Sequence, residues 1–435
     1  MSTPGIVISA PSSGAGKTTI TLGIIRALSD QGLKVSAGKV GPDYIDTKFH
    51  ERASGTACIN LDSWAMDKSQ LHFLAYETCY QSDILIIEGV MGLFDGALKP
   101  GLSGNGSTAS IAQELGLPVI LVIDATSQAQ SVAALATGFK NFQSNVNLSG
   151  VILNNVSSSR HAALLTDALA EIDINVFGRI PRLKDLKIPS RHLGLVQADE
   201  HAELDDFIKT AAEVVSDNID IPKLQASACS KFEVTSCIPT FLKPLGQNIA
   251  IANDLAFKFT YSHILESWRK SGVEISFFSP LNNETAASNA DAIYLPGGYP
   301  ELHAESLSQN TAFLDSLRTA YKNGKWVYGE CGGFMVLGKA ITDVSGRKYP
   351  MAGLLGLETT FVKPTLSLGY RVGTLLESCP FGSVDTRFRC HEFHYTNITE
   401  ETGRKLFKIE DSAGIQSGVH GLINGSVFGS FLHVI

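Results

Sequence analysis

Charge is scarce in this chain of 435 residues: charged side chains make up 18% and the formal net charge is −8. Without a broad basic surface, nucleic acid is not an expected partner. Long apolar runs are missing as well. Leu117-Pro118-Val119-Ile120-Leu121-Val122-Ile123 suits a buried parallel strand and is too short to span a bilayer, so no membrane partner is expected. The seven cysteines are odd in number and lack metal-ligand spacing, which argues against a disulfide framework and for a reducing compartment. The N-terminus lacks a basic, then apolar, then small-residue cleavage pattern, so the cytoplasm is the expected location. What remains is a chain with 44% hydrophobic residues, long enough for two or three domains.

The most informative stretch present is Ser9-Ala10-Pro11-Ser12-Ser13-Gly14-Ala15-Gly16-Lys17-Thr18-Thr19. An apolar strand, Gly5-Ile6-Val7-Ile8, precedes it, and an amphipathic helix pattern from Ile20 to Leu28 follows. Strand, glycine turn and helix form the setting of a phosphate-binding loop, where free N–H groups and the helix dipole meet an anion. Gly14 and Gly16 would shape the turn, Lys17 would reach the outer phosphates of ATP, and Thr18 or Thr19 would hold Mg²⁺. Pro11 stands where the first Gly of G-x-x-x-x-G-K-[ST] would be.

Strands predicted at Ile6–Ser9, Val35–Lys39, Ile84–Glu88, Val119–Asp124 and Gly150–Asn154 alternate with helical stretches. That order predicts a parallel sheet with ligands beyond its carboxyl ends. Acidic residues follow two of those ends: Asp43 and Asp46 in Gly41-Pro42-Asp43-Tyr44-Ile45-Asp46, and Glu88 in Glu88-Gly89-Val90-Met91-Gly92-Leu93-Phe94-Asp95-Gly96. With Thr18, Asp43 and Glu88 are the candidate magnesium ligands. The glycine-rich stretch from Gly96 to Gly106 reads either as a mobile cover or as a plain connection, and Ser107-Thr108 can cap the next helix. Asn154 and Asn155 are placed to read a base edge, or are ordinary surface residues.

The stretch from Asp217 to Gln247 loses periodicity and reads as a linker between a first domain (1–216) and a second (248–435). The second restarts the α/β alternation. Its strand Asp291–Leu295 runs into Pro296-Gly297-Gly298-Tyr299-Pro300-Glu301, and Lys325–Gly329 runs into Glu330-Cys331-Gly332-Gly333. A Cys between small residues at a strand-to-helix turn resembles a nucleophile elbow, and a helix start favours the thiolate. N–H groups of Gly297, Gly298 and Gly332 could stabilise an oxyanion. A histidine base is needed, and His391, His394 and His433 are the candidates.

Ala10–Thr19, Gly41–Asp46, Asn60-Leu61-Asp62, Glu88–Gly96 and Arg191-His192-Leu193-Gly194-Leu195 together resemble the cobyrinate and hydrogenobyrinate a,c-diamide synthases of cobalamin biosynthesis. The resemblance implies a dethiobiotin-synthetase-like P-loop domain followed by a class I glutamine amidotransferase domain, and ATP-dependent amidation of the a and c acetate groups of a corrin. Glutamine supplies the ammonia. Phosphorylation of each carboxylate gives an acyl phosphate, with Asp43, Asp46 and Glu88 positioning charge. The resemblance further implies Asn154 at the nucleotide, and Tyr44, Asp46, Asp95, Arg191 and His192 at the corrinoid polycarboxylate. It also pairs Cys331 with His433, in the terminal Phe431-Leu432-His433 segment. Ordinary class I members carry a Glu two residues after that His; Ile435 stands there, and Glu392 becomes the candidate orienter. Asn60–Met66 and Gly194–Ala198 look more like the members acting on the metal-free corrin, hydrogenobyrinate. Cobyrinate is the rival substrate. A partitioning-type regulatory ATPase leaves Cys331 unexplained, and a ligase using free ammonia explains the first half only. A homodimer is left open.

Overall fold

The structure, a computed structural model, describes residues 3–183, 203–232, 239 and 241–435. It also describes the backbone of two short strands, β8 (Ser190–Arg191) and β9 (Gly194–Leu195). The chain divides into two compact units, Met1–Pro239 and Thr240–Ile435.

In the first unit, short apolar runs form strands β1 (Gly5–Ser9), β2 (Val35–Val40), β3 (Cys58–Leu61), β4 (Ile84–Glu88), β5 (Val119–Asp124), β6 (Leu148–Val156) and β7 (Val176–Pro181). They pair in parallel in the order β3-β2-β4-β1-β5-β6-β7. Helices α1 (Lys17–Asp30), α2 (Ile45–Ser54), α3 (Lys68–Cys79), α4 (Thr108–Leu115), α5 (Ser131–Phe142) and α6 (Ser159–Ala170) connect them. Ile6, Ile8, Ile86, Ile120 and Val122 are wholly buried on one face of the sheet, each contributing about 1.5–3 kcal/mol. Ser107 caps α4 by accepting the Ser110 N–H, as expected. Beyond the expected strands, β3 and β7 form the two edges: one is only four residues long, and Gly178, Arg179 and Pro181 interrupt the apolar pattern of the other.

The expected linker begins too early. Helix α7 (Leu204–Asn218) runs past residue 216, and α8 (Ile221–Ala226) follows at once. Ile219, Ile221 and Leu224 are buried in the first unit's core, and Cys229 pairs with Gly5 across an isolated bridge. The first unit therefore continues through residues that lack helical periodicity because α8 is too short to display any.

The second unit opens with β10 (Asn248–Ala252), α9 (Ser262–Lys270), β11 (Glu274–Phe278), β12 (Ala292–Leu295), α10 (Ala304–Gln309), α11 (Thr311–Lys322), β13 (Trp326–Glu330) and α12 (Gly332–Leu337). A small four-stranded sheet is built from β14 (Ala340–Thr342), β15 (Lys348–Pro350), β16 (Gly356–Thr360) and β19 (Asn397–Thr402). The remaining strands are β17 (Ser367–Leu375), β18 (Arg387–His394), β20 (Arg404–Asp411), β21 (Gln416–Asn424), β22 (Val427–Ser430) and β23 (Leu432–Val434). The main sheet runs β11-β10-β12-β13-β22-β21-β20-β17-β18-β23, parallel as far as β22 and antiparallel beyond it. Ser430 on β22 pairs with Glu330 on β13, and three residues later His433 pairs with His391 on β18. The chain end is thereby brought across the carboxyl end of β13.

Candidate active site

In the first unit, Gly14 and Gly16 adopt φ of 83° and 93°, a left-handed conformation that glycine enters without steric cost. A β-carbon on Gly16 would also stand 2.4 Å from Asn154 Nδ2. Lys17 Nζ reaches across the loop and donates to the carbonyls of Met91 (2.6 Å) and Ser12 (3.5 Å). Burial lowers the pKa of this ammonium, and the carboxylates of Glu88, Asp46 and Asp95 only partly offset that. Thr18 Oγ1 donates to Glu88 Oε1 at 2.7 Å. Thr19 lines a cavity beside the loop together with Gly16, Asn154, Asn155, Ile180 and Val214. Asn154 donates its amide to the Ala15 carbonyl at 2.9 Å and Asn155 donates to Asp124, so both amides are spent on framing this cavity.

Lys39 and Glu88 are register partners on β2 and β4, and that pairing organises a buried cluster at the strand ends. Lys39 Nζ contacts Asp46 Oδ2 at 2.5 Å, Glu88 Oε1 at 3.0 Å and the Gly89 carbonyl at 3.4 Å. His50 Nε2 lies 2.7 Å from Glu88 Oε2, and its Nδ1 faces the Asp46 carbonyl. Burial opposes a charge on His50, and Glu88 outweighs burial to raise its pKa. Burial pushes the Glu88 carboxyl up, but Lys39, His50 and Thr18 together hold it below the ordinary range. Asp46 goes the other way, raised chiefly by burial and by Asp43. Lys39 and His50 thus face Glu88 and Asp46 in one buried cluster, and Lys17 stands beside it at the loop.

Several expected positions differ. Asp43 Oδ1 accepts the N–H groups of Ile45 (2.8 Å) and Asp46 (3.0 Å), and is thus committed to the first turn of α2. Thr18 and Glu88 meet, and among the described residues no three acidic, His or Cys side chains surround a metal position. Tyr44 is buried at the start of α2, and Asp46 is held through Oδ2 by Lys39. Asp95 is exposed and accepts the Gly92 N–H at 2.8 Å. His192 and the Arg191 side chain lie outside the described residues. The stretch from Gly96 to Gly106 is no free cover: Leu102 N–H bonds the Trp64 carbonyl, Ser103 and Gly104 N–H bond the Ser63 carbonyl, and Gly106 N–H bonds Ser63 Oγ. A β-carbon on Gly101 would stand 1.9 Å from the Trp64 carbonyl oxygen, which explains the glycine there.

In the second unit, β13 delivers Cys331 at φ 51°, a strained conformation for a residue with a β-carbon. The close turn needs glycine at 333, where a β-carbon would stand 1.9 Å from the Leu295 carbonyl oxygen. Cys331 N–H bonds the Ser430 carbonyl at 2.8 Å, and Sγ lies 3.6 Å from the Phe393 carbonyl. Of the three candidate histidines, His433 meets the Cys331 sulfur. Its Nδ1 lies 3.0 Å from Glu330 Oε1. Burial lowers its pKa, but the Cys331 sulfur and the Glu330 carboxylate prevail and raise it to about 10. His391 is held neutral, its pKa lowered to about 3 by burial and by His433. His394 is turned to Glu392 (3.0 Å) and the Thr396 carbonyl (3.2 Å).

Glu392 is therefore not the orienter. It is engaged by His394 and by Arg371, at 2.8 Å. Glu330, the residue before the nucleophile, occupies that place. Four donors converge on its carboxylate: His433 Nδ1, Tyr294 OH (3.2 Å), Tyr328 OH (2.9 Å) and Val434 N–H (3.4 Å). The sequence carried a signal for it, since an acid closing an apolar strand was the mark that identified Glu88. Lys39 and His50 were missed as well. Their signals were the register of β2 against β4 and the i,i+4 spacing of Asp46 and His50 on α2.

Gly298 and Gly332 lie against each other: a β-carbon on Gly332 would be 3.1 Å from Gly298 N. Gly297 serves a different need, since a β-carbon there would stand 2.7 Å from His433 Cε1. The cavity at Cys331 is walled by Phe259, Tyr299, Phe361, Phe393 and Tyr395.

Residues 6–196 match the family described as the CobQ/CobB/MinD/ParA nucleotide binding domain, and residues 248–435 match the CobB/CobQ-like glutamine amidotransferase domain. Hydrogenobyrinate a,c-diamide synthase of Brucella anthropi is 49% identical over 435 residues, covering 99% of this chain and 98% of that protein. The proteins of the same name from Rhizobium meliloti (47% identical, 99% of each chain) and Rhodobacter capsulatus (46% identical, 99% of this chain and 98% of that protein) are comparably similar. No helix among the described residues is long and apolar enough to cross a membrane.

Proposed function

We propose, from the premise that this chain belongs to the family of hydrogenobyrinate a,c-diamide synthases, that it converts the a and c acetate groups of hydrogenobyrinate to amides using ATP and glutamine. The observation that carries this is the presence of both half-sites: a Lys17–Thr18–Glu88 phosphate loop in one unit and a Cys331–His433–Glu330 relay in the other.

A carboxylate resists attack by ammonia because hydroxide is a poor leaving group. Transfer of the ATP γ-phosphoryl group to a corrin carboxylate makes an acyl phosphate and ADP, and ammonia then displaces phosphate to leave the amide. The N–H groups of the loop at Gly14 and Gly16 receive the phosphates, and Lys17 leaves the Met91 carbonyl for them. The cavity framed by Thr19, Asn154, Asn155 and Ile180 takes the nucleoside. The donor set fits a magnesium ion: Thr18 supplies a hydroxyl and Glu88 a carboxylate, and Asp46 Oδ1 is a buried oxygen with no hydrogen-bond partner among the described residues. Bound there with phosphate oxygens and water, magnesium would neutralise developing charge.

In the second unit, the Cys331 sulfur attacks the glutamine side-chain carbonyl, with His433 as the proton carrier for the departing ammonia. Glu330 fixes the ring so that one nitrogen stays on the carboxylate while the ring meets the sulfur. The N–H groups of Gly298 and Gly332 face the oxyanion. Water then hydrolyses the thioester to glutamate.

The test is formation of the diamide from hydrogenobyrinate, ATP and glutamine by the purified protein, with cobyrinate run in parallel. Cys331→Ser should abolish the glutamine-supported reaction and spare the one supported by added ammonia. Loss of both would make Cys331 structural, and faster turnover of cobyrinate would reassign the substrate.

A further inference from the structure

Among the described residues, Glu301 is the one carboxylate on the wall of the Cys331 cavity. It stands in the short turn Pro300–His303, just after the Gly297-Gly298-Tyr299 loop, and is only 9% exposed. No Lys, Arg or His among the described residues lies in ion-pair range of it. Burial alone pushes its carboxyl up to about 8, with its own N–H as the sole opposing influence. A carboxylate buried without a cation is costly to keep, and nothing in the chemistry at Cys331, His433 and Glu330 uses this one. Its neighbours around the cavity are aromatic or apolar, apart from Gly298, Cys331 and His394, and His394 is committed to Glu392 and Thr396.

Glutamine brings what this wall lacks. Its α-ammonium lies four bonds from the carbonyl carbon that Cys331 attacks, with methylenes between that suit Phe259, Phe361 and Phe393. Resting on the amidotransferase reading above, we propose that Glu301 is the specificity residue for the nitrogen donor: its carboxylate pairs with the α-ammonium of glutamine and so admits amino-acid amides in preference to simple amides. Binding supplies the cation against which this buried carboxyl can ionise. A donor without an ammonium offers it no such partner.

The test compares glutamine with 4-carbamoylbutanoate, the same molecule without its α-ammonium, following release of ammonia by the full-length enzyme. The wild type should favour glutamine in kcat/KM by about 100-fold, the effect of removing one partner of a buried ion pair. Glu301→Gln should lose about the same factor on glutamine, mostly in KM, while its kcat/KM on 4-carbamoylbutanoate stays within a few-fold of wild type. Equal losses on both amides, or an unchanged preference, would overturn the proposal. So would a wild type that hydrolyses the two amides equally well, a result that needs no variant to fold. Ammonia-supported diamide formation by Glu301→Gln should match wild type. Failure of the wild type in that last assay alone would count against the synthase reading and leave the amide preference intact.

Discussion

Two buried glutamates close two apolar strands, Glu88 on β4 and Glu330 on β13, and their surroundings differ in kind. Around Glu88 stand an ammonium, an imidazole and a second carboxyl group: Lys39, His50 and Asp46. Around Glu330 stand two phenols, one backbone N–H and a single imidazole. The first arrangement is built from ionisable groups of both signs, and Lys17 beside it is tied to backbone carbonyls. The second relies on neutral donors, so that one proton on His433 sets the charge of the group. A site for a triphosphate and a site for a neutral amide thus start from the same residue at the same place on a strand and diverge through their donors.

The hardest blow to this contrast is Lys17→Ala. It should lower amidation about 10³-fold or more with either nitrogen source and leave glutamine hydrolysis intact, as measured by phosphate and glutamate release. Next in size, Lys39→Met strands Glu88 and Asp46 beside each other and should cost about 3–5 kcal/mol of stability in urea unfolding. Glu330→Gln should depress glutaminase kcat about 10²-fold and spare ammonia-supported amidation. It should also lower the pKa of His433, visible as a shift in the upper limb of the pH profile, because one of the groups raising that pKa is gone. A pH-rate profile identical to wild type would remove Glu330 from the relay.

The smallest effect concerns Glu301. Its folded pKa of about 8 lies above the ordinary 4.5, so between those values the folded chain holds a proton that the unfolded chain has lost. Stability therefore falls as pH rises from about 4.5 to about 8. Glu301→Gln removes that slope and should raise the melting temperature by about 5 °C at pH 8, with little change at pH 5.

Much of the first site was legible because strand, glycine turn and helix lie within one short stretch, and because Glu88 follows four apolar residues. Lys39 and His50 were not, since their roles depend on register between strands and on the face of α2. The Cys331 elbow was legible from its small neighbours. Its third member was sought beyond His433 because relatives of the fold keep an acid there. The antiparallel course of the second sheet brings the chain end over β13, and Glu330, one residue from the nucleophile, fills the place. The half-buried strands β17 to β21 carry mixed polar and apolar residues, so their antiparallel pairing lacked the plain apolar signal of the parallel half. Asn60–Met66 was legible as a motif but not as an anchor, because its partners sit some forty residues on, in the glycine-rich stretch.

Lys17 has a single ammonium with two claimants. Its bond to the Met91 carbonyl pins down a turn whose central residue sits at φ 47°. When phosphate wins the contest, that carbonyl is released and a strained corner of the chain is let go.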